Sequence, residues 1–410
     1  MGFALRARRA CPRCFRGAIL ALAVLLAAGS AVADDEVPAQ EAGLTYQAVY
    51  KADLLQGLTQ RIDRHDQFLG NLDLKLGWRG KPIQAGTTRA LIQLLYNHGD
   101  KPNERYGTAQ GVSNIETPVN TGKVYQAWLE QGLFGDDLTL LAGLYDLNSE
   151  FYVTDSSALF IHPAFGTGAE LAQTGHNGPS IFPTTSVALR ARLRLGAGYL
   201  QGAIFDGVPG DPDNRRGTHI RFKQGDGVLQ IVEAGVGLEQ GKLPGKLALG
   251  TWRYSARFDD LSEVDAAGAP LRRRNRGSYL LFDYPLLALD AAAGRGVNVF
   301  LRAGDANPDI NRFRWAADGG ATWRGPFAAR PDDAVGIGLA YERNSRKARE
   351  LAVAAQGQAS GGELALETDY RAQVLTWLVL QPNLQFLRRH GDGASTVGWL
   401  AGLRVEITLP

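Results

Sequence analysis

The sequence predicts an all-β fold. The favoured architecture is a transmembrane antiparallel β-barrel of about 16 strands, and a soluble sandwich or propeller is the alternative. Three observations lead there. Apolar and polar residues alternate with period two in about sixteen short segments. Gly, Pro, Asn and Asp break the chain between them, and Gly alone accounts for 50 of 410 residues, about 12% against a usual share of roughly 7%. The N-terminus carries an export signal, so the compartment is extracytoplasmic.

That signal is read from residues 1–33. Arg6, Arg8, Arg9, Arg13 and Arg16 precede an apolar run from Gly17 to Gly29, and Ala31-Val32-Ala33 supplies a small-residue cleavage site. The run of 13 residues falls short of the about 18 a spanning helix needs. Removal of residues 1–33 leaves 410 less 33, or 377 residues, and takes five Arg and no acid, so the net charge moves from +2 to −3. A nucleic-acid partner loses its electrostatic support. Cys11 and Cys14, the only cysteines, leave with the signal, and with them any disulfide or thiolate metal site. Residues 34–42 form a short acidic leader, and 43–410 the barrel domain.

Strand-like segments follow in order. The first, 44–55, is followed by 71–78, where Leu72, Leu74, Leu76 and Trp78 alternate with Asn71, Asp73, Lys75 and Gly77. Residues 89–97, 123–131 and 137–146 continue the habit. In 188–195, Arg190, Arg192 and Arg194 alternate with Leu189, Ala191, Leu193 and Leu195. Then come 197–206, 228–239, 246–255, 278–285, 296–304, 312–323, 334–343, 364–373 and 374–387. In the last, 400–409, Leu403, Val405, Ile407 and Leu409 alternate with Gly402, Arg404, Glu406 and Thr408. No amphipathic helix of convincing length stands out.

Alternation alone does not separate a soluble core from a lipid-facing wall. Export favours the barrel. So does a spacing of about 24 residues per strand, which suits a crossing strand with a turn and a loop. Trp78, Tyr145, Trp252, Tyr284 and Trp399 lie near segment ends, where interface girdles belong. No blade motif recurs, which counts against a propeller. A closed sheet also pairs every backbone group in lipid and leaves no edge, answering the lack of cysteine.

Catalytic signatures are absent: no GxSxG, HExxH, Walker loop or CxxC occurs after residue 33. The six His (65, 98, 162, 176, 219, 390) are scattered and read as loop or rim residues, not metal ligands. Gly235-Val236-Gly237 lacks the third glycine of a dinucleotide fingerprint, and its strand context is wrong. The acidic run Asp206–Asn214 is compatible with Ca2+ but reads as a polar loop. No metal or cofactor is expected, and the chain is not read as an enzyme.

The arginine row is more informative. Arg at the bilayer midplane costs about 2–4 kcal/mol, so three on one face must meet water, in a barrel the lumen. There, guanidinium forks suit sugar hydroxyls or anions. The segment 124–130 places Gln126, Trp128 and Glu130 on one face, an aromatic ring beside an amide and a carboxylate, as a carbohydrate contact requires; a girdle or structural role for Trp128 fits equally well. Asp73, Lys75 and Arg404 are lumen residues without an assigned role.

The sequence resembles the carbohydrate-selective porin family, the OprB type, from about residue 43 to the C-terminus. The resemblance rests on ordered stretches: Gly111-Val-Ser-Asn-Ile-Glu116; Ala127-Trp-Leu-Glu-Gln131; Leu141-Ala-Gly-Leu with Ser149-Glu-Phe151; Asn177-Gly-Pro with Phe182-Pro183; Ala203-Ile-Phe-Asp-Gly207 with Pro209-Gly-Asp-Pro212; and Tyr370-Arg-Ala-Gln-Val374 leading to Leu380-Gln-Pro-Asn-Leu-Gln385. It implies a sixteen-stranded outer-membrane barrel, inward-folded loops that narrow the lumen, and passive diffusion of small sugars, with no reaction, ATP or cofactor. Phe151–Pro183 is the candidate constriction loop. The chain ends Ile407-Thr-Leu-Pro410 rather than on the aromatic residue usual for such barrels.

The reading is therefore an outer-membrane sugar porin lined by Arg190, Arg192, Arg194, Trp128, Glu130 and Gln126. Its partners are small sugars and outer-membrane lipid, with a homo-oligomer (trimer) or monomer both open. A general or ion-preferring porin is the alternative on the same barrel. An exported soluble carbohydrate-binding module comes next, and an outer-membrane barrel enzyme last.

Overall fold

A computed structural model describes residues 42–59, 65–84, 86–356, 360–391 and 396–409. The export signal and all of the acidic leader but Ala42 lie outside them. Sixteen antiparallel strands pair in sequence order among the described residues, and the first closes on the last. They are β1 Gly43–Gly57, β2 Gln67–Arg79, β3 Thr88–Gly99, β4 Thr121–Leu133, β5 Leu138–Tyr145, β6 Ser186–Leu195, β7 Gly198–Asp206 and β8 Val228–Gly237. The second half comprises β9 Lys246–Val264, β10 Pro270–Asp290, β11 Arg295–Ala306, β12 Phe313–Arg324, β13 Ala334–Asn344, β14 Ser360–Leu375, β15 Leu378–Gly391 and β16 Thr396–Leu409. Ring closure runs from Ala48 opposite Leu409 to Gly57 opposite Leu400. No described helix is long and apolar enough to cross a membrane.

Each segment of alternation became one strand, because the two faces meet different solvents. The outer face presents apolar side chains: on β2, Phe68, Leu76 and Trp78 are exposed, while Asn71 on the opposite parity is buried. Phe68 and Trp78 bound an apolar band about 25 Å tall, as expected for ten residues at about 3.3 Å each in a strand tilted about 40°. Trp78, Tyr284 and Trp399 stand outward in girdles. Tyr145 and Trp252 do not: each has the inward parity of its strand and is buried, at 3% and 2% exposure, in an apolar cluster inside the barrel. Position near a strand end predicted their height but not their side.

Two further corrections concern length and helix content. β9 and β10 run well past the predicted 246–255 and 278–285, because their Asp- and Arg-rich outer halves project beyond lipid and carry no apolar alternation. The β13–β14 connection holds an eleven-residue helix, Arg346–Gln356, where none was expected. Ser345 caps it, its Oγ accepting from Ala348 N at 3.3 Å. Lys347 anchors it to β9 and the β11–β12 connection through Asp260 (2.7 Å), Glu263 (2.7 Å) and Asp309 (3.0 Å).

The two ends of the barrel differ. The connections after odd-numbered strands include three long ones, 100–120, 146–185 and 207–227. Those after even-numbered strands are short, and the start of β1 and the end of β16 lie on that side. In outer-membrane barrels the short turns face the periplasm and the long loops the exterior.

Candidate constriction and lumen

The long loops turn inward. The β3–β4 connection carries helix α1, Pro102–Tyr106, and the β5–β6 connection carries helix α2, Ala169–Ala172; the β13–β14 helix is α3. Their apolar residues drive the infolding. Phe151, Tyr152 and Leu171 are fully buried against Phe205, Leu229, Ile231, Trp252 and Leu281 of the inner wall. Val112 and Ile115 of the first loop join Phe160 and Phe165 of the second against Leu69, Phe300, Leu387 and Leu400. The loops also bind each other, Asn114 N donating to Ile161 O at 2.9 Å.

A loop inside a barrel must satisfy its own backbone. Here the wall supplies carboxylates. Glu233 on β8 accepts from Tyr152 N (3.1 Å), and Asp283 on β10 from Ser156 N (2.9 Å). On β14, Glu367 accepts from Ile161 N (2.9 Å) and His162 N (3.0 Å), and Glu363 from Ala109 N (3.0 Å) and Gln110 N (3.1 Å). Cations grip the opposite polarity. Arg302 on β11 donates to Ala164 O (2.8 Å) and Gly166 O (2.5 Å) while paired with Asp318 on β12 at 2.8 Å. Glycines leave the room: a Cβ at Gly338 on β13 would lie 2.7 Å from the Phe165 ring, and one at Gly336 2.6 Å from Leu159.

Burial also perturbs the loops' own acids and bases. Glu170 is pushed up to about 7, and so is Glu116. Tyr152 Oη donates to Glu170 Oε1 at 2.8 Å, whereas Glu170 Oε2 has no partner among the described residues. Burial drives His162 down to about 3, so the ring is neutral, and its Nδ1 accepts from Ala164 N at 3.3 Å.

All six residues singled out in the sequence face inward, but they divide into two groups. Arg190 is 4% exposed and held by acids: Nη2 pairs with Glu130 at 2.6 Å and Glu150 at 2.8 Å, Nη1 donates to Thr139 Oγ1 at 2.5 Å, and Nε has no partner among the described residues. Glu130 is shared with Arg89 at 2.8 Å. Gln126 donates to Gln93 Oε1 (2.7 Å) and accepts from Asp146 N (3.2 Å). Trp128 is half-buried against the inner apolar cluster. Toward the short-turn end the row opens: Arg192 is half-buried, its guanidinium 4.6 Å from the Tyr199 ring centre, and Arg194 is exposed and pairs with Asp137 at 2.6 Å. Asp73 accepts from Gln93 Nε2 at 2.9 Å, and Arg404 pairs with Asp53 at 2.7 Å.

Below the loops the inner wall is polar and charged in both signs. Lys51, Lys75, Arg89, Arg192, Lys246 and Arg371 are inward and half-buried; Glu406 lies within 3.8 Å of Lys51 and 3.2 Å of Arg371, Glu130 and Asp136 pair with Arg89 at 2.8 and 2.6 Å, and Glu233 lies 3.7 Å from Lys246. Toward the exterior, Thr117, Lys123, Phe182, Thr184, Asn214 and His219 border a cavity of about 610 Å³ between the three long loops. The acidic run of the β7–β8 loop turns on itself, Asp211 pairing with Arg221.

A closed sixteen-strand barrel with an apolar band, two infolded loops and a polar lumen defines an outer-membrane porin. Residues 71–409 match the family model described as carbohydrate-selective porin, OprB family. The chain belongs to that family. It is 26% identical to Porin B of Pseudomonas aeruginosa over 382 residues, covering 83% of this chain and 81% of the relative. A solved structure of Pseudomonas putida OprB at high pH superposes with a TM-score of 0.76 at 20% identity, covering 89% of this chain and 94% of that one. The outer-membrane channel DcaP of Acinetobacter baumannii shares the fold at a TM-score of 0.56 and 11% identity, over 89% and 96% of the two chains.

Proposed function

We propose that the protein is an outer-membrane channel for passive diffusion of small sugars, exported by a signal cleaved after Ala33. The carrying observation is the lumen itself, narrowed by the β5–β6 loop and left polar beneath it, with charges of both signs. Arg192 and Arg194 are the sugar-facing members of the arginine row; Arg192, laid on Tyr199, offers guanidinium N–H groups beside an aromatic face. Arg190, Glu130 and Gln126 hold the wall and the loop base, and Trp128 packs behind them. Contacts in such a path must be weak and multiple for solute to leave. Planar-bilayer conductance of the purified protein tests this. Saturable block of ion current by one class of sugar is expected. Current indifferent to every sugar would instead identify a general or ion-preferring porin.

A further inference from the structure

The long β9–β10 hairpin separates its charges across the sheet. Its inward acid Asp260, with Glu263 and Asp309, is taken up by Lys347 and Arg273. Its outward face carries Arg253 and Arg257 on β9 and Arg272, Arg274 and Arg276 on β10, all exposed. Arg274 lies directly opposite Arg257, and Arg276 directly opposite Arg253. Two successive like-charge cross-strand pairs are unfavourable unless an anion joins them. The chain supplies little: Asp259 pairs with Arg272 at 2.9 Å, and Arg253 donates to Gln230 Oε1 at 2.7 Å. Arg274 and Arg276 meet no carboxylate among the described residues.

Height identifies what does meet them. Below the arginines the same outward face becomes Leu249 and Leu280 and then Tyr284 in the short-turn-side girdle. Arg276 and Arg274 precede Tyr284 by eight and ten residues, roughly 20 and 25 Å along the membrane normal at about 3.3 Å per residue and about 40° tilt. That is the outer edge of the apolar band on the long-loop side. Side chains there point sideways into the outer leaflet's headgroups, not into the lumen.

We infer that Arg253, Arg257, Arg274 and Arg276 form a docking site for the phosphate groups of an outer-leaflet glycolipid. Guanidinium forks match phosphate oxygens two at a time, and the paired arginines span a headgroup bearing more than one phosphate. The site is independent of sugar passage.

The test is native mass spectrometry of the detergent-purified protein with diphosphoryl lipid A, its monophosphoryl form or phosphatidylglycerol as probe. The fourfold variant Arg253→Gln, Arg257→Gln, Arg274→Gln, Arg276→Gln should retain diphosphoryl lipid A at least about tenfold less well than the unaltered protein, with unchanged single-channel conductance. Arg276→Gln alone should lower retention measurably, which keeps the test open if the fourfold variant fails to assemble. Equal retention by variant and unaltered protein overturns the assignment. So does equal retention of phosphatidylglycerol, which would reduce the patch to a general anionic surface, or loss of an oligomer with lipid retention intact, which would make it a protein interface.

Discussion

Arg302 and Asp318, neighbours on β11 and β12, form a buried ion pair whose remaining N–H groups hold the infolded loop by three carbonyl oxygens, those of Tyr152, Ala164 and Gly166. The pair thus does two jobs, joining strands and fixing the constriction. Arg302→Leu removes the clamp and leaves Asp318 uncompensated, a loss of about 3–5 kcal/mol for a buried pair cut on one side. Surviving channels should conduct more and more noisily. Heat-modification gels and single-channel recording read both effects; unchanged conductance would show that the loop is held without the clamp.

Two arginines of one strand should behave differently. Arg190→Ala strands Glu150 and leaves Glu130 with Arg89 alone, so assembly should fall. Arg192→Ala removes a guanidinium stacked on Tyr199 and should leave the fold intact while lowering sugar affinity by about tenfold, the equivalent of one charge-assisted hydrogen bond. Sugar titration of ion current with both variants decides it, and equal assembly defects would refute the division of roles.

The loop's docking should weaken as pH rises. Glu170 is pushed up to about 7 in the docked loop, from an ordinary value of 4.5. It sits by Tyr152, Arg302 and Asp318. The raised value favours the protonated form when docked, so its contribution is fully present below about 4.5 and is lost as pH climbs to about 7. Hydrogen-exchange protection factors across 151–172, which divide out the base catalysis of exchange itself, should be higher at pH 4.5 than at pH 8, and Glu170→Gln should flatten the difference.

Gly338 gives way to the loop's aromatics. Gly338→Val would push a side chain into Phe165 and Phe160, with overpacking of about 1–3 kcal/mol. Protease nicking of the loop should increase while the sixteen-strand barrel persists; an unaltered digestion pattern would mean that the aromatic cluster repacks at no cost.

The wall was legible in the sequence because lipid and lumen impose a period of two on every strand. All sixteen strands were found, and Arg190, Arg192, Arg194, Gln126 and Glu130 were placed on the lumen side. Where that pressure lapses, legibility lapsed with it: the outer halves of β9 and β10 and the helix α3 lie beyond lipid. Trp252 and Tyr145 showed that an aromatic near a strand end can turn either way.

By itself the sequence determined the architecture, since alternation, turn residues and export features are local signals. Tertiary structure decided what fills the lumen. Glu233, Asp283, Glu363 and Glu367 went unnoticed in the sequence, because their backbone partners lie 81, 127, 254 and 206 residues away. No local pattern encodes such pairings. They arise because an apolar loop closed inside a barrel must pair its amides with whatever the facing wall presents, and that choice also separated the buried Arg190 from the accessible Arg192 and Arg194.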